Sequence, residues 1–353
     1  MKGLVLSGGS GTRLRPITHT QAKQLVPVAN CPVLFYGLKA LADAGIVEVG
    51  IVVGKTKDEI IEAVGDGSRW GLRVTYIEQP NPLGLAHAVK VSRGFLGDDP
   101  FVMYLGDNLM LEGIEDLVAE FSKDLVTTIL LTKVPNPSQF GVAVIDGKRV
   151  IKLVEKPKEP ISDLALVGIY MFNKSIHEAV DSIRPSARGE LEITDAIQWL
   201  VDHQKDVHSH VITGWWKDTG RLDDMLEANR MILDELKTEI RGKVCPDSHV
   251  YFKVVVEEGA VIENSTVRGP AIIGRGTVIR NAFIGPFTAI SYNCLVENAE
   301  IEHSIVLEES KIRDVSVRIE DSLIGKNVQV FRSGKRPGAY RLMLGDYSEV
   351  GLT

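Results

Sequence analysis

The chain opens with residue types that suit the binding of a polyphosphate. Gly8, Gly9 and Gly11 follow the short apolar run Leu4–Leu6, which is typical of a buried strand. Glycines let the backbone turn sharply there, and consecutive N–H groups in such a turn form a concave anion site. Arg13 adds a cation whose forked donors fit phosphate oxygens. The pattern predicts a polyphosphate site; a structural turn with a solvated arginine is the alternative.

Two well-known phosphate motifs do not match this stretch. A dinucleotide fingerprint requires another glycine three positions after Gly11, where Leu14 stands. A Walker loop requires Gly-Lys-Ser/Thr, whereas Gly11 is followed by Thr12 and Arg13. Lys23 is close enough along the chain to supply a second cation for a phosphate, although a solvated loop lysine would look the same in sequence.

Acidic and amide side chains farther along could complete a nucleotide site. Asp107 and Asp218 each follow a short apolar run, and two carboxylates can hold Mg²⁺ while phosphate oxygens and water complete its shell. Each could equally cap a turn or a helix, and their spacing does not show that they meet. The amide of Gln79 offers a donor and an acceptor side by side, which matches the edge of thymine or uracil and, less specifically, of other bases.

A third group of charged residues suits a sugar phosphate. Glu155 could bind sugar hydroxyls and Lys156 a monophosphate, with a surface ion pair as the alternative reading. Arg188 precedes an acid-rich helix start and is the cation to follow there.

Composition narrows the functional classes. The 353 residues are 44% hydrophobic and 25% charged, with a net charge of −7, which is typical of a soluble protein of two domains. The chain has no basic block, which argues against nucleic acid as a partner. The cysteines are three and far apart, and we see neither a signal peptide nor a membrane span. We therefore expect a cytoplasmic protein with no membrane contact.

The hydrophobic pattern changes character along the chain. Residues 1–240 alternate strand and helix patterns and contain one hairpin, which predicts an α/β domain with ligands at the carboxyl ends of its strands. From residue 254, apolar residues recur every five to seven positions, and a six-residue period indicates a parallel β-helix, here of about four coils. A meandering antiparallel sheet is the alternative. We expect residues 241–353 to form this second domain, with a cap and a terminal strand after residue 332.

Together the motifs resemble those of the sugar-1-phosphate nucleotidyltransferases, most closely the long thymidylyltransferases of that family. The matching segments, in chain order, are Gly8–Pro16, Ala22–Pro27, Gly65–Gly71, Pro82–Ala86, Leu105–Asn108, Gly141–Val142, Glu155–Pro157, Ala187–Asp195 and Trp216–Gly220. The resemblance implies a Rossmann-like mixed sheet followed by a left-handed parallel β-helix. It also implies transfer of a nucleotidyl group from dTTP to glucose 1-phosphate with Mg²⁺, in an enzyme that we expect to be a homo-oligomer.

The resemblance assigns a role to each motif residue. The implied nucleotide-binding residues are Leu6, Gly8, Gly9, Gly11, Thr12, Gln24, Gln79, Pro82 and Gly84. The implied catalytic cations are Arg13, Lys23, Lys156 and Arg188, of which Lys156 and Arg188 would hold the sugar phosphate. The implied metal ligands are Asp107 and Asp218. The implied sugar-site residues are Asn108, Gly141, Glu155, Val167 and Tyr170.

Some choices stay open within the resemblance. Gln24 after the motif lysine favours a thymidylyltransferase over a guanylyltransferase, which usually has proline there. His87, where short relatives usually have glutamine, leaves the choice of base less certain, so UTP or a broad nucleotide range is the alternative. A β-helix that transfers acetyl groups and a non-catalytic scaffold are less favoured, the latter because Arg13, Lys23 and both aspartates are present.

Overall fold

The computed structural model describes residues 1–9, 11–110, 112–334, 342 and 347–351. The chain divides into two compact units. The first unit comprises Met1–Ser10, Gln21–Leu25 and Val33–Asp218, and the second comprises Gly11–Thr20, Val26–Pro32 and Thr219–Thr353. The domain boundary between residues 240 and 241 stays a prediction.

The part of the chain before the repeats alternates strands and helices, as the sequence predicts. Its strands are β1 Lys2–Ser7, β2 Pro27–Val28, β3 Cys31–Pro32, β4 Glu48–Val53, β5 Arg73–Glu78, β6 Phe101–Leu105, β7 Asn108–Met110, β8 Thr127–Lys133, β9 Gly141–Asp146, β10 Arg149–Glu155, β11 Leu164–Phe172, β12 Val207–Val211 and β13 Trp216–Asp218. Its helices are α1 Val33–Asp43, α2 Lys57–Val64, α3 Leu85–Val91, α4 Arg93–Leu96, α5 Glu115–Asp124, α6 Ser175–Ser182, α7 Ile193–Asp202 and α8 Leu222–Asp234.

The first unit is organised around a mixed sheet in the order β5-β4-β1-β6-β11-β8-β12-β10-β9. Strands β5, β4, β1 and β6 are parallel to one another, whereas β11 is antiparallel to both β6 and β8. The predicted hairpin is confirmed, because β9 and β10 pair antiparallel across the turn at Gly147. The mixed Rossmann-like sheet of the sequence prediction is confirmed, and the parallel half places the carboxyl ends of β1, β4 and β6 side by side.

A hydrophobic core cluster lies on each face of this sheet. Successive residues of a strand point to opposite faces, so one strand contributes to both clusters. In β1, Leu4 and Leu6 belong to one core cluster and Val5 to the other. Helix α1 packs on the side of Val5, and Gly37 lets it approach closely, since a Cβ there would lie 3.0 Å from the Tyr104 ring. Helix α5 was not predicted from the sequence; Val118 and Phe121 are its buried residues.

The second unit contains the repeat region, which we call the solenoid (residues 239–331). Its strands are β14 Glu239–Ile240, β15 Lys243–Val244, β16 His249–Tyr251, β17 Val254–Val256, β18 Val261–Glu263, β19 Thr266–Arg268, β20 Ala271–Ile273, β21 Val278–Arg280, β22 Phe283–Ile284, β23 Thr288–Ile290, β24 Leu295–Glu297, β25 Glu300–Ile301, β26 Ile305–Val306, β27 Lys311–Arg313, β28 Leu323–Ile324 and β29 Gln329–Phe331. They form three parallel sheets, of six, six and four strands. Successive strands of a sheet are three apart in chain order, except that β26 pairs with β28 and β27 with β29.

This arrangement is that of the left-handed parallel β-helix implied by the family resemblance. Two details differ from the sequence prediction. Paired strands are mostly 17 residues apart, as in Val261↔Val278 and Val278↔Leu295, so one of the three sides is usually a residue short of the six-residue period. The solenoid also begins at Glu239 rather than at residue 254, and it therefore has more than four coils. Most of the predicted terminal cap lies outside the described residues.

Candidate active site

A buried lysine between two carboxylates lies at the centre of the first unit's polar residues. Lys23 is only 7% exposed, and its Nζ forms an ion pair with Asp107 and lies 3.6 Å from Asp218 Oδ1. The two aspartates, 111 residues apart in sequence, therefore meet at one cation. Two acidic side chains and one cation therefore share this position in the first unit.

Short strands β7 and β13 bring these groups together. They pair antiparallel with Asp218 opposite Asn108, which places Asp218 beside the end of β6, where Asp107 follows. Asn108 is buried and held from both ends, since its Nδ2 donates to Asp107 Oδ1 (3.0 Å) and its Oδ1 accepts from Trp216 Nε1 (2.6 Å). The amide is thereby fixed in one orientation next to the carboxylate pair.

The carboxylate pair fits the binding of a divalent cation. Oxygens of the two aspartates both approach the positively charged ammonium of Lys23. Carboxylate oxygens are also the ligands that Mg²⁺ prefers in proteins. Among the described residues there is no group of three or more acidic, histidine or cysteine side chains that could hold a metal alone. A metal here would therefore need oxygens from a ligand or from water.

The first two glycines of the opening turn lie against two glutamines. A Cβ added to Gly8 would lie 3.2 Å from Gln79 Oε1, and one added to Gly9 would lie 3.6 Å from Gln24 Nε2. Gln24 follows Lys23 in the same 3₁₀ turn, and its buried Oε1 has no hydrogen-bond partner among the described residues. An acceptor left in this state next to a glycine turn is suited to a ligand, because burial without a partner is unfavourable.

The loop after β5 packs at Gly84 against the backbone of Leu191. The backbone N–H of Gln79 donates to Val53 O, which extends the pairing of β5 with β4 by one residue. Gly84 has φ +102°, and a Cβ there would lie 2.4 Å from Leu191 O, so only glycine fits. Close packing alone therefore explains Gly84, and its base-reading role stays a prediction.

A second polar cluster surrounds Glu155 at the end of β10. Its Oε2 accepts a hydrogen bond from Thr194 Oγ1 (3.2 Å) and would lie 3.0 Å from a Cβ at Gly141. Its Oε1 lies 3.4 Å from Lys156 Nζ and 3.8 Å from the Arg188 guanidinium. The structure thus brings four of the predicted sugar-site and phosphate-site residues together.

Arg188 in this cluster is held by three carboxylates. It donates to Glu190 (2.8 Å) and, through two nitrogens, to Glu192 (both 3.1 Å), and Glu155 is the third. Burial lowers the pKa of Arg188, but Glu192, Glu190 and Glu155 outweigh that effect and the net pKa is raised. The Arg188 side chain remains 40% exposed, so an incoming phosphate could still reach it.

The remaining predicted residues lie in three different settings. Val167 and Tyr170 are buried in β11, where burial, assisted by Glu155, raises the pKa of Tyr170. Leu6 is in β1, and Pro82 is exposed in the loop after β5. The residues Gly11, Thr12 and Arg13 belong to the second unit, where Gly11 has φ +61° and precedes a 3₁₀ turn. The roles of all these residues stay predictions.

Three contact residues escaped the sequence reasoning. Trp216 orients Asn108, and Thr194 holds Glu155, although both lie inside segments that the sequence singled out. His87 contacts the Gln79 amide and was noticed in the sequence only as a departure from short relatives. Their side chains act on other residues, and such a contact has no signature in sequence spacing.

Comparisons with known proteins show the family to which the chain belongs. The family model described as nucleotidyl transferase matches residues 2–235. A glucose-1-phosphate thymidylyltransferase of Streptomyces griseus is 57% identical over the full length of both chains, and one of Streptomyces antibioticus is 58% identical over all of this chain and 99% of the other. A solved structure of a Bacillus anthracis protein assigned as a glucose-1-phosphate thymidylyltransferase, in complex with sucrose, is 34% identical with a TM-score of 0.63, covering 68% of this chain and 97% of that one.

Proposed function

Because the chain belongs to the nucleotidyl transferase family, we propose that it transfers the thymidylyl group of dTTP to glucose 1-phosphate. The products are dTDP-glucose and pyrophosphate. The observation that carries this proposal is the meeting of Asp107 and Asp218 at buried Lys23. Full-length similarity to two glucose-1-phosphate thymidylyltransferases supports the choice of substrates.

The proposed reaction is an in-line displacement at the α-phosphorus. An oxygen of the sugar phosphate attacks, and pyrophosphate leaves. Since a phosphate is already an anion, the protein needs no nucleophile or strong base; it must bring two anions together and stabilise their charge. A site with Lys23, Lys156 and Arg188 suits that task, and Arg13 stays the predicted cation for the triphosphate.

Asp107 and Asp218 are the residues that we propose hold Mg²⁺. The metal supplies positive charge to the phosphate oxygens during transfer. Asn108 keeps Asp107 in place, because its amide is fixed by Trp216. Lys23 lies between the two carboxylates and would be the protein's own cation beside the metal.

The cluster around Glu155 is the proposed site of glucose 1-phosphate. Glu155 has one oxygen turned toward Thr194 and the other toward two cations, so it can accept hydrogen bonds from sugar hydroxyls. Lys156 and Arg188 are partly exposed and would exchange carboxylate contacts for the sugar phosphate. The exchange is favourable because a phosphate carries more charge than a carboxylate.

A panel of substrates tests this proposal. Pyrophosphate release is measured with Mg²⁺ for dTTP, UTP, dCTP, ATP and GTP, each with glucose, galactose, mannose and glucosamine 1-phosphates. We expect dTTP with glucose 1-phosphate to give the highest kcat/KM and UTP to follow. No turnover with dTTP or UTP would refute the proposal. Acetyl transfer from acetyl-CoA to glucosamine 1-phosphate is measured in parallel, and its presence would revive the acetyltransferase alternative.

Two further proposals concern the oligomeric state of the protein and its location in the cell. We propose a homo-oligomer in the cytoplasm, and sedimentation of the purified chain tests the oligomeric state. Among the described residues, no helix is long and apolar enough to cross a bilayer.

A further inference from the structure

The side-chain amide of Gln79 has its nitrogen fully engaged by the protein. Nε2 donates to Gly84 O at 3.2 Å and lies 2.9 Å from Nδ1 of His87. An amide nitrogen carries two hydrogens and accepts no hydrogen bond, so Nδ1 must be the acceptor. The imidazole is therefore neutral, with its proton on Nε2.

The oxygen of the same amide faces the glycine turn. Gln79 Oε1 lies 3.2 Å from the position of a Cβ at Gly8, and among the described residues no donor forms a hydrogen bond to it. Gln79 is only 8% exposed, but its Oε1 is not closed off from solvent and is open to an incoming donor. Gln79 thus presents an acceptor, rather than its amide nitrogen, to whatever binds beside Gly8.

We propose that His87 is a positioning residue for base selection, which accepts a hydrogen bond from Gln79 Nε2 and so keeps Gln79 Oε1 turned toward the base. The inference rests on the proposed function and deepens it. Thymine and uracil carry a hydrogen on N3, which Oε1 can accept, whereas cytosine has a bare nitrogen acceptor there. The fixed amide therefore favours thymine and uracil over cytosine, although cytosine has nearly the same shape.

The surroundings of His87 maintain the neutral ring that this role requires. His87 is half-buried on α3, and Lys90 lies one turn further along the same helix. Burial first, and then the charge of Lys90, lower the pKa of His87. Lys90 is held in turn by Asp181 of α6 at 3.0 Å. A protonated ring would present a donor to Nε2 and oppose the observed orientation.

The test is the ratio of kcat/KM for dTTP to kcat/KM for dCTP, both with glucose 1-phosphate, in wild type, His87→Ala, His87→Gln and Gln79→Ala. Because one orienting hydrogen bond is lost and Gly84 O still holds the amide, we expect His87→Ala to lower the ratio about tenfold. His87→Gln keeps an acceptor and should return the ratio to within about threefold of wild type. Adding His87→Ala to Gln79→Ala should change the ratio no further.

Other outcomes would overturn the inference. Equal losses for dTTP and dCTP in His87→Ala, or an undiminished effect of this change in the Gln79→Ala background, would show that His87 supports the loop and not the amide. If wild type turned over neither nucleotide, the proposed function would fail separately. The ratio of dTTP to dCTP dissociation constants, measured by calorimetry on the same variants, would then decide the role of His87 by the same criteria.

Discussion

The first unit and the solenoid position their polar side chains in opposite ways. In the solenoid, Asn264, Asn281 and Asn298 form a hydrogen-bonded ladder whose members are 17 residues apart. In the first unit, Lys23 meets Asp107 across 84 residues, and Asn108 meets Trp216 across 108. Solenoid contacts thus repeat between neighbouring coils, whereas the site depends on a few unrepeated contacts between distant segments.

The difference predicts separate consequences for mutation. A change in a solenoid coil alters the interface with the adjacent coils and should act mainly on stability. A change at the carboxylate pair removes a charge from the proposed metal site while the other aspartate still faces Lys23, and should act mainly on turnover. Measuring both stability and activity on each variant therefore tests whether solenoid changes act on stability and site changes on turnover.

The largest expected effect is that of Asp107→Asn on turnover. The substitution keeps the shape of the side chain but removes the charge that faces Lys23, so we expect kcat/KM to fall on the order of a hundredfold or more. Pyrophosphate release at saturating Mg²⁺ measures it. Asp163→Asn, at an exposed acid, is the matched control and should keep the wild-type rate. A near-wild-type rate in Asp107→Asn would remove this residue from the metal site.

Ile279→Ala should have the largest effect on the solenoid. Ile279 is fully buried in β21 between neighbouring coils, and truncation leaves a cavity that costs about 2–5 kcal/mol of unfolding free energy. Urea denaturation measures the loss, and Ile240→Ala at an exposed position is the control. We expect the folded Ile279→Ala protein to retain its kcat. A fall in kcat as large as the loss of stability would show that the solenoid core and the site are not independent.

Asn281→Ala should have a smaller effect, because it acts at a solenoid corner. Asn281 has φ +47°, a left-handed conformation that alanine adopts at a cost of about 1 kcal/mol, and its amide joins the ladder to Asn264 and Asn298. Asn281→Gly removes the ladder contacts but tolerates the backbone. The melting temperatures of the two variants separate the cost of the backbone conformation from the loss of the ladder hydrogen bonds. An equal loss of stability in both variants would assign the effect to the ladder instead of the backbone.

The smallest predicted effect is a dependence of stability on pH at His177. This histidine is buried against Phe101, and burial lowers its pKa below 6.5. The unfolded chain therefore binds a proton more readily, so stability is complete above pH 6.5 and declines as the pH falls toward the folded-state pKa. His177→Leu should show a smaller decline in melting temperature between pH 7.5 and 5.5 than wild type. His249→Gln, at an exposed histidine, should behave as wild type; an unchanged decline in His177→Leu would contradict the assignment.

Much of the fold follows from local sequence pattern. The apolar runs of β1, β4 and β6 mark buried strands, and the turn signal Asp146-Gly147 marks the hairpin β9–β10. The solenoid is visible because its apolar residues repeat. Its start at Glu239 is not, because the first coil has exposed residues where later coils have buried ones.

The site was predictable in its residue types but not in its contacts. Glycine turns, cations and acids can be read from sequence, yet Asp218 reaches Lys23 only through the pairing of β13 with β7, two strands of three residues each. Such short strands have no hydrophobic period. The orientation of the Gln79 amide likewise depends on His87, which lies on a helix and has no distinguishing pattern.

The most direct test of the central claim is the stoichiometry of the reaction. Purified protein is incubated with dTTP, glucose 1-phosphate and Mg²⁺, and pyrophosphate and sugar nucleotide are quantified together over time. We predict one dTDP-glucose formed for each pyrophosphate released, and neither product when glucose 1-phosphate is omitted. Pyrophosphate or phosphate released without a sugar nucleotide would identify a hydrolase and contradict the account.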